Sequence, residues 1–332
     1  MKRVVTIQVI LVAVTILLFL VVSFRRPPLS PKVTALNPQG SLAIPDKVSS
    51  DTRSPLLNPS ILADLGKHYI INFRPLRDTI IDIQSKYKQK TYIYFLYLNN
   101  GAWIGINEKD LFTAASTLKV PLAMSLMNAV EDNKLKLTDS FSLEKLNLDS
   151  NFGDLYKVGA DKGFTIEELL KIMLEQSDNT AMNALFEIFT RIGIDDPLSG
   201  VYDVLGWEFT QDVPVMGEPI DYSQINLKTL ANMFLALYNA KYLNIPASEK
   251  ILGYLANTPF SDKMVAGVPE NTVVSHKIGT AAPDDTYSDC GIVYAPNRHY
   301  LLCIGSYGAD EKIAARFMAE ISRAIYTYVI ND

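Results

Sequence analysis

From about residue 61 onward, apolar residues recur with the periods of regular secondary structure. A β-hairpin is predicted where the stretches TYIYFLYL and AWIGI flank the turn residues NNG, at 91–106. A second hairpin is predicted where YSDCGIVYA and YLLCIGSYG meet across PNRH, and the stretch NTVVSHKIG before it predicts one more strand. The pattern therefore predicts five strands, two near the start of the folded body and three near its end.

Helical periodicity is found before, between and after these strands. The stretch PLRDTIIDIQSKYKQ predicts a helix with Pro75 at its start, and four apolar side chains are expected to face a core. These four residues are Leu76, Ile80, Ile81 and Ile83. In the middle of the chain, Thr165 and Glu168 form the sequence pattern of a capping box. The last helix, over 311–330, is expected to pack through a stripe of residues at helical spacing. That stripe consists of Ile313, Phe317, Ile321, Ala324 and Tyr328.

This element order predicts an α/β fold of the α+β type. An antiparallel sheet of about five strands would be flanked by the N- and C-terminal helices, with an all-helical lobe inserted between strands 2 and 3. The α/β lobe is expected over 61–110 and 270–332, and the helical lobe over 111–269. Ligand pockets are common at the junction of two such lobes.

The first 60 residues have a different composition. The stretch 4–24 is apolar, contains no charged residue, and has the length that a helix needs to cross a membrane. It runs into RRPP without a small-residue cleavage site, which favours an uncleaved anchor over 1–26 rather than a signal peptide. Seven prolines lie among polar residues over 27–60 and predict an extended tether. The catalytic domain would then occupy 61–332.

Composition excludes several classes of function. The chain of 332 residues has a net charge of −5 and no basic block in its folded body, so nucleic-acid binding has little electrostatic support. Its two cysteines and three histidines do not form a metal-binding motif, and neither a metal nor a cofactor is expected. Cys290 and Cys303 are placed symmetrically about the second hairpin turn. Two buried thiols are favoured there over a disulfide, because directly opposed strand residues form an unusual disulfide.

The stretch TAASTLKVPLAM places Ser116 three positions before Lys119 at the head of an apolar helix. A serine hydroxyl is a weak nucleophile unless a neighbouring base takes its proton. A lysine amine can be that base when burial or a nearby cation lowers its pKa. The alternative is an ordinary helix start with a surface lysine, because the chain contains two other S-x-x-K strings. Pro121 is expected to distort the second turn of this helix.

Two later motifs strengthen the catalytic interpretation. The string EQSDNTAMN places Ser177, Asp178 and Asn179 between two helices, and SHKIGT ends an apolar strand. In this order and at these separations, the three motifs resemble S-x-x-K, S-D-N and K-T-G of class A β-lactamases and penicillin-binding proteins. The resemblance extends over the chain from about residue 73 to residue 330. The chain as a whole is similar to membrane-anchored serine hydrolases of the class A type.

The resemblance implies a role for each matching residue. Ser116 would be the acylated nucleophile, Lys119 its base or proton relay, and Ser177 the donor of a proton to the leaving nitrogen. Asn179 would bind the substrate amide and orient Lys119, while Asp178 would hold its loop in place. On the strand, the site residues would be Lys277, Gly279 and Thr280. Lys277 would supply positive potential, Gly279 would leave room for substrate, and the N–H groups of Ser116 and Thr280 would form the oxyanion hole.

Two departures from the family pattern bear on activity. Ile278 replaces the hydroxyl residue of K-T-G, which predicts weaker binding of a β-lactam carboxylate. The loop after the helical motif lacks the E-x-x-L-N string whose glutamate activates the deacylating water. Its carboxylates are Glu208, Asp212, Glu218 and Asp221. Glu208 is the nearest candidate base, and the alternative is that all four are solvated loop residues.

The predicted function is a serine acyl hydrolase that opens a β-lactam or related amide through an acyl-Ser116 intermediate. A cell-wall D,D-peptidase or transpeptidase with the same acylation step is the second hypothesis. A slow-turnover sensor or peptidoglycan-binding module is the third. The expected partners are a small-molecule or peptidoglycan-type substrate and the cytoplasmic membrane, with the catalytic domain outside the cytoplasm. A monomer is expected.

Overall fold

The computed structural model describes residues 72–205 and 221–331. The predicted membrane span at 4–24 and the tether at 27–60 lie outside these ranges. Within them, none of the helices combines the length and the apolar character that a membrane crossing requires.

The described residues form eight α-helices and nine strands. The helices are α1 Arg74–Gln84, α2 Lys119–Glu131, α3 Ile166–Glu175, α4 Asn179–Arg191, α5 Ser199–Leu205, α6 Leu227–Tyr238, α7 Ile245–Ala256 and α8 Glu311–Asn331. The strands are β1 Lys90–Tyr97, β2 Trp103–Ile106, β3 Phe112–Thr113, β4 Ser140–Ser142, β5 Gly163–Thr165, β6 Gln224–Ile225, β7 Val274–Ala281, β8 Thr286–Val293 and β9 Tyr300–Tyr307. Short 3₁₀ segments join several of them.

Five strands form one antiparallel sheet in the order β2-β1-β9-β8-β7. The predicted five-stranded sheet and both predicted hairpins are therefore confirmed. The intervening lobe is mainly helical, but it is not all-helical as predicted, because β3 pairs with β6 and β4 pairs with β5. These short pairs escape sequence patterns, since two or three residues are too few to show a period of two.

The sheet separates two hydrophobic cores. Tyr92 and Tyr94 of β1 face the helical lobe, whereas Ile93 and Phe95 between them face the layer formed by α1 and α8. This alternation follows from the period of two along a strand. The strand order places β7 at the edge of the sheet. There, β7 packs against the start of the helical lobe, at Ala114 and Thr117.

Two predicted core positions are wrong. Ile81 in α1 and Ile313 in α8 are each 43% exposed, whereas Leu76, Ile80, Phe317 and Ile321 are fully buried. In both helices, the predicted apolar stripe included one residue too many, and that residue faces solvent. The capping box is confirmed: Thr165 accepts a hydrogen bond from the N–H of Glu168, whose carboxylate accepts one from the N–H of Thr165.

Cys290 and Cys303 form a disulfide between β8 and β9, so the expectation of two free thiols is wrong. The two residues are directly opposed in the strand register, with Cα atoms 3.9 Å apart. Both are fully buried on the face that packs against the helical lobe.

Candidate active site

Ser116 lies in a sharp turn between β3 and α2. Ala115, immediately before it, has a φ angle of +48°, a conformation that costs a non-glycine residue roughly 1–2 kcal/mol. Residues Ala115–Leu118 form a 3₁₀ turn, and α2 begins only at Lys119. Pro121 therefore lies in the first turn of α2, where its missing N–H has no helical partner to lose. The predicted distortion of the second turn is wrong for this reason.

The amine of Lys119 is at the centre of the site. Its Nζ lies 3.0 Å from Ser116 Oγ, 2.6 Å from the carbonyl oxygen of Ser177 and 2.8 Å from Asn179 Oδ1. A neutral amine has two N–H donors and one lone pair. The carbonyl oxygens of Ser177 and Asn179 can only accept, so they take both donors and leave the lone pair for the Ser116 hydroxyl. The geometry thus fits a base that accepts the proton of Ser116.

Burial also favours the neutral form of Lys119. The side chain is fully buried at the start of α2. Loss of solvation lowers its pKa to about 8, although the carboxylates of Asp178 and Asp149 act in the opposite direction. A substantial fraction of Lys119 is therefore neutral in mildly alkaline solution.

Ser177 and Asp178 form the turn that enters α4. Ser177 is buried with a φ angle of +56°, and this left-handed conformation brings its backbone carbonyl and its hydroxyl to Lys119. Asp178 caps α4: one carboxylate oxygen accepts from the N–H of Ala181 at 2.9 Å, and the other accepts from the N–H of Leu155 at 2.8 Å. Asp178 thereby fixes the turn without contacting Ser116.

Lys277 reaches the same turn from β7. Its Nζ donates to Ser177 Oγ at 2.7 Å and to the carbonyl oxygen of Ile278 at 3.2 Å. Complete burial holds the pKa of Lys277 well below its usual value, and repulsion from Lys119 is a second, smaller cause. Ser177 thus lies between two lysine amines, an arrangement suited to relaying a proton.

Gly279 lies where β7 packs closely against its neighbours. A Cβ at this position would lie 2.5 Å from Ser288 Oγ, 3.0 Å from Thr117 Cγ2 and 3.1 Å from the carbonyl oxygen of Ala114. The glycine therefore allows β7 to pack against the turn that carries Ser116, and its expected role of leaving room for substrate stays a prediction. The neighbouring Thr280 is partly exposed at this contact.

The predicted deacylating carboxylates are only partly described. Glu208, Asp212 and Glu218 lie outside the described residues. Asp221 is exposed, and its carboxylate accepts a hydrogen bond from the N–H of Ser223 at 3.0 Å. Within residues 72–205 and 221–331, no carboxylate is hydrogen-bonded to Ser116.

Several residues that the sequence did not indicate adjoin the site. The ring of Phe260 lies 6.0 Å from Lys277 Nζ, and Lys263 is buried beside it with its Nζ 2.8 Å from Glu311. His276 pairs with Asp289 at 2.7 Å on the opposite side of β7. These partners are 13 to 48 residues apart in the chain. Such pairs have no local pattern, so only the fold reveals them.

Comparison with known proteins agrees with the geometry. A model of the β-lactamase enzyme family matches residues 75–329. An imipenem-hydrolysing β-lactamase from Enterobacter cloacae is 25% identical over 260 residues, which cover 74% of this chain and 87% of that protein. The solved structure of PBP-A is 21% identical with a TM-score of 0.67, covering 76% of this chain and 95% of that one. A β-lactamase structure from Sphaerobacter thermophilus is 20% identical with a TM-score of 0.67, covering 78% and 98%.

The solved structures establish the fold, and the family model covers most of the chain. The motifs at Ser116, Ser177 and Lys277 all fall within the matched range. The chain belongs to the β-lactamase enzyme family.

Proposed function

We propose that this protein is a serine acyl hydrolase of the class A β-lactamase type that opens a β-lactam or related amide through an acyl-Ser116 intermediate. The observation that carries the proposal is the position of Lys119, whose buried amine is 3.0 Å from Ser116 Oγ. The N–H groups of this amine are taken by the carbonyl oxygens of Ser177 and Asn179. Membership of the family supports the same reaction class.

Acylation would begin with attack of Ser116 Oγ on the amide carbonyl carbon while Lys119 accepts the hydroxyl proton. The carbonyl oxygen would gain negative charge and accept hydrogen bonds from the N–H groups of Ser116 and Thr280. One well-placed donor of this kind contributes roughly 3 kcal/mol to transition-state stability.

Cleavage of the C–N bond requires a proton on the leaving nitrogen. Ser177 Oγ would donate it and regain a proton from Lys119, which lies 3.3 Å away. Lys277, at 2.7 Å from the same oxygen, would stabilise the transient negative charge there. The ester on Ser116 and the freed amine are then the products of this half-reaction, and water must complete the second half.

Two measurements test the proposal. Nitrocefin turnover reports the full cycle, and intact mass after penicillin addition reports acylation and release over time. We expect a mass increase equal to one penicillin, its loss with time, and neither event in Ser116→Ala. Turnover that persists in Ser116→Ala would show that the nucleophile is a different residue.

A D,D-peptidase or transpeptidase is the second candidate. It is favoured by the lack of a carboxylate hydrogen-bonded to Ser116 among the described residues, since deacylation of a penicillin ester needs a base for water. PBP-A has a similar fold, and a variant of it forms an acyl-enzyme complex with penicillin G. An adduct that lasts for hours, with release of D-alanine from a model peptide, would favour this candidate. A lasting adduct without peptide cleavage would indicate a sensor.

We also propose that the catalytic domain lies outside the cytoplasm, anchored through residues 4–24. The uncharged apolar length of that stretch and the proline-rich sequence after it support an anchor with a spacer. The disulfide between Cys290 and Cys303 supports the location, because disulfides persist in oxidising compartments.

A further inference from the structure

Thr280 lines a pocket of about 340 Å³. We call it the Lys263 pocket, and its lining includes Phe152, Phe260, Lys263, Ile278, Thr280 and Glu311. It adjoins the proposed catalytic groups on two sides. The carbonyl oxygen of Phe152 accepts from the N–H of Asn179 at 3.0 Å, and the Phe260 ring lies 6.0 Å from Lys277 Nζ. The pocket therefore lies beside the groups that would hold a substrate bonded to Ser116.

The ammonium group in the pocket is already paired. Lys263 is 3% exposed, and its Nζ lies 2.8 Å from Glu311 Oε1 and 3.4 Å from Asp262 Oδ2. Burial lowers the pKa of Lys263, but the hydrogen bond to Glu311 and the charge of Asp262 raise it overall, so the amine stays charged. These three side chains together carry one positive and two negative charges.

The strand side of the pocket does not offset this negative charge. Ile278 is buried and apolar at the position where a hydroxyl is expected. Tyr287 lies directly opposite Thr280 on β8. Burial raises the pKa of Tyr287, and the nearby carboxylates of Glu311, Asp285 and Asp310 raise it further, whereas Lys263 lowers it. The surroundings of Thr280 are thus acidic as well.

We propose that the Lys263 pocket selects acyl donors that place an uncharged amide or a cationic amine there, and that it disfavours a carboxylate. A carboxylate would have to displace Glu311 from Lys263 or remain beside two groups of its own charge. A cationic amine would meet the carboxylates of Glu311 and Asp262 beside two aromatic side chains, Phe152 and Phe260. This inference rests on the proposed acylation of Ser116 and narrows its substrate class.

The test uses three ester substrates that differ only in the group directed to this pocket: a carboxylate, a carboxamide and an aminoethyl amide. Their rates of acylation of Ser116 are measured by intact mass. Because like charges brought together weaken binding, we expect the carboxylate to react at least about tenfold more slowly than the other two. Glu311→Gln should raise the carboxylate rate about tenfold and change the carboxamide rate by less than about twofold.

Asp262→Asn is a second variant, expected to act in the same direction with a smaller effect because its oxygen is farther from Lys263. Glu320→Gln, on the same helix but next to Tyr87, is the matched control and should leave all three rates unchanged. Equal rates for the three esters, or a fastest carboxylate, would overturn the charge selection while acylation of Ser116 stands. If none of the three esters acylated Ser116, the proposed function itself would fail, and the selection with it.

Discussion

At the scale of single residues, the acidity of Lys119 decides whether Ser116 can react. Lys119→Arg keeps a positive charge but replaces the amine with a group that stays protonated. Since general base catalysis contributes roughly 10² to 10⁴-fold, we expect acylation by penicillin to slow by about that factor. The acylation rate is followed by intact mass. Lys134→Arg, an exposed lysine paired with Asp132, is the control and should react like the wild type.

The same amine predicts a pH dependence. Because only the neutral form of Lys119 accepts a proton and its pKa is about 8, the acylation rate should rise with pH up to about 8 and then level off. Its pKa in the unfolded chain is the higher value of 10.5, so the unfolded state binds more protons between the two values. The free energy of unfolding should therefore increase with pH across that window. A rate that falls between pH 6 and pH 8 would exclude Lys119 as the base.

The sequence predicted these residues unevenly, for physical reasons. Ser116 and Lys119 are three positions apart and fall on one turn, so a local pattern brings them together. Lys277 joined them only through the resemblance to a family. Lys263 and Glu311 were not found at all, because their contact joins a loop to the start of α8 across the end of the sheet. Long-range ion pairs depend on the fold and leave no periodic signal.

At the scale of elements, the contact between β7 and the Ser116 turn depends on Gly279. A Cβ there would lie 2.5 Å from Ser288 Oγ and 3.1 Å from the carbonyl oxygen of Ala114, so Gly279→Ala should displace the Ser288 side chain and crowd the turn that carries the nucleophile. Overpacking of this kind costs roughly 1–3 kcal/mol, and we expect that loss in the free energy of unfolding by urea, together with slower acylation. The control is Gly163→Ala in β5, where an added Cβ meets no atom within 4 Å. If Gly279→Ala were as stable and as reactive as the wild type, the close packing would be wrong.

A second element depends on Asp178, which caps α4 and fixes the loop at Leu155. Asp178→Asn keeps an acceptor but removes the negative charge that raises the pKa of Lys119. The pH at which acylation levels off should therefore shift below that of the wild type. Asp178→Ala should also cost roughly 1–3 kcal/mol of stability, because two buried N–H groups lose their partner. Unchanged pH profiles in Asp178→Asn would show that its charge does not reach Lys119.

Element boundaries were predicted well where the signals were local. The capping box set the start of α3, and turn residues set both hairpins of the large sheet. The side of a helix that is buried was predicted less well, since the exposure of Ile81 and Ile313 depends on how far the sheet extends over α1 and α8. A stripe of apolar residues shows which side of a helix faces the core, but the width of the buried surface depends on the sheet that covers it.

At the scale of the whole molecule, the five strands and the order of the lobes followed from the sequence, because each strand is an apolar run between turn residues. The pairing of Cys290 with Cys303 did not. Register placed the two residues opposite each other, but the sequence alone favoured thiols, and the compartment in which the chain folds determines the redox state.

That dependence makes the disulfide a reporter of location. If residues 4–24 anchor the chain with its catalytic domain outside the cytoplasm, full-length protein should contain no free thiol when cells are quenched in acid and the protein is denatured, alkylated and weighed. A chain that begins at residue 61 and stays in the reducing cytoplasm should instead carry two alkyl groups, and its free energy of unfolding should be lower by about 2–4 kcal/mol, the typical contribution of a disulfide. Cys290→Ala with Cys303→Ala, in the full-length chain, is the matched control and should carry no alkyl group in either compartment. Two alkylated thiols in the full-length protein would place the domain in the cytoplasm, where a cell-wall substrate cannot reach Ser116.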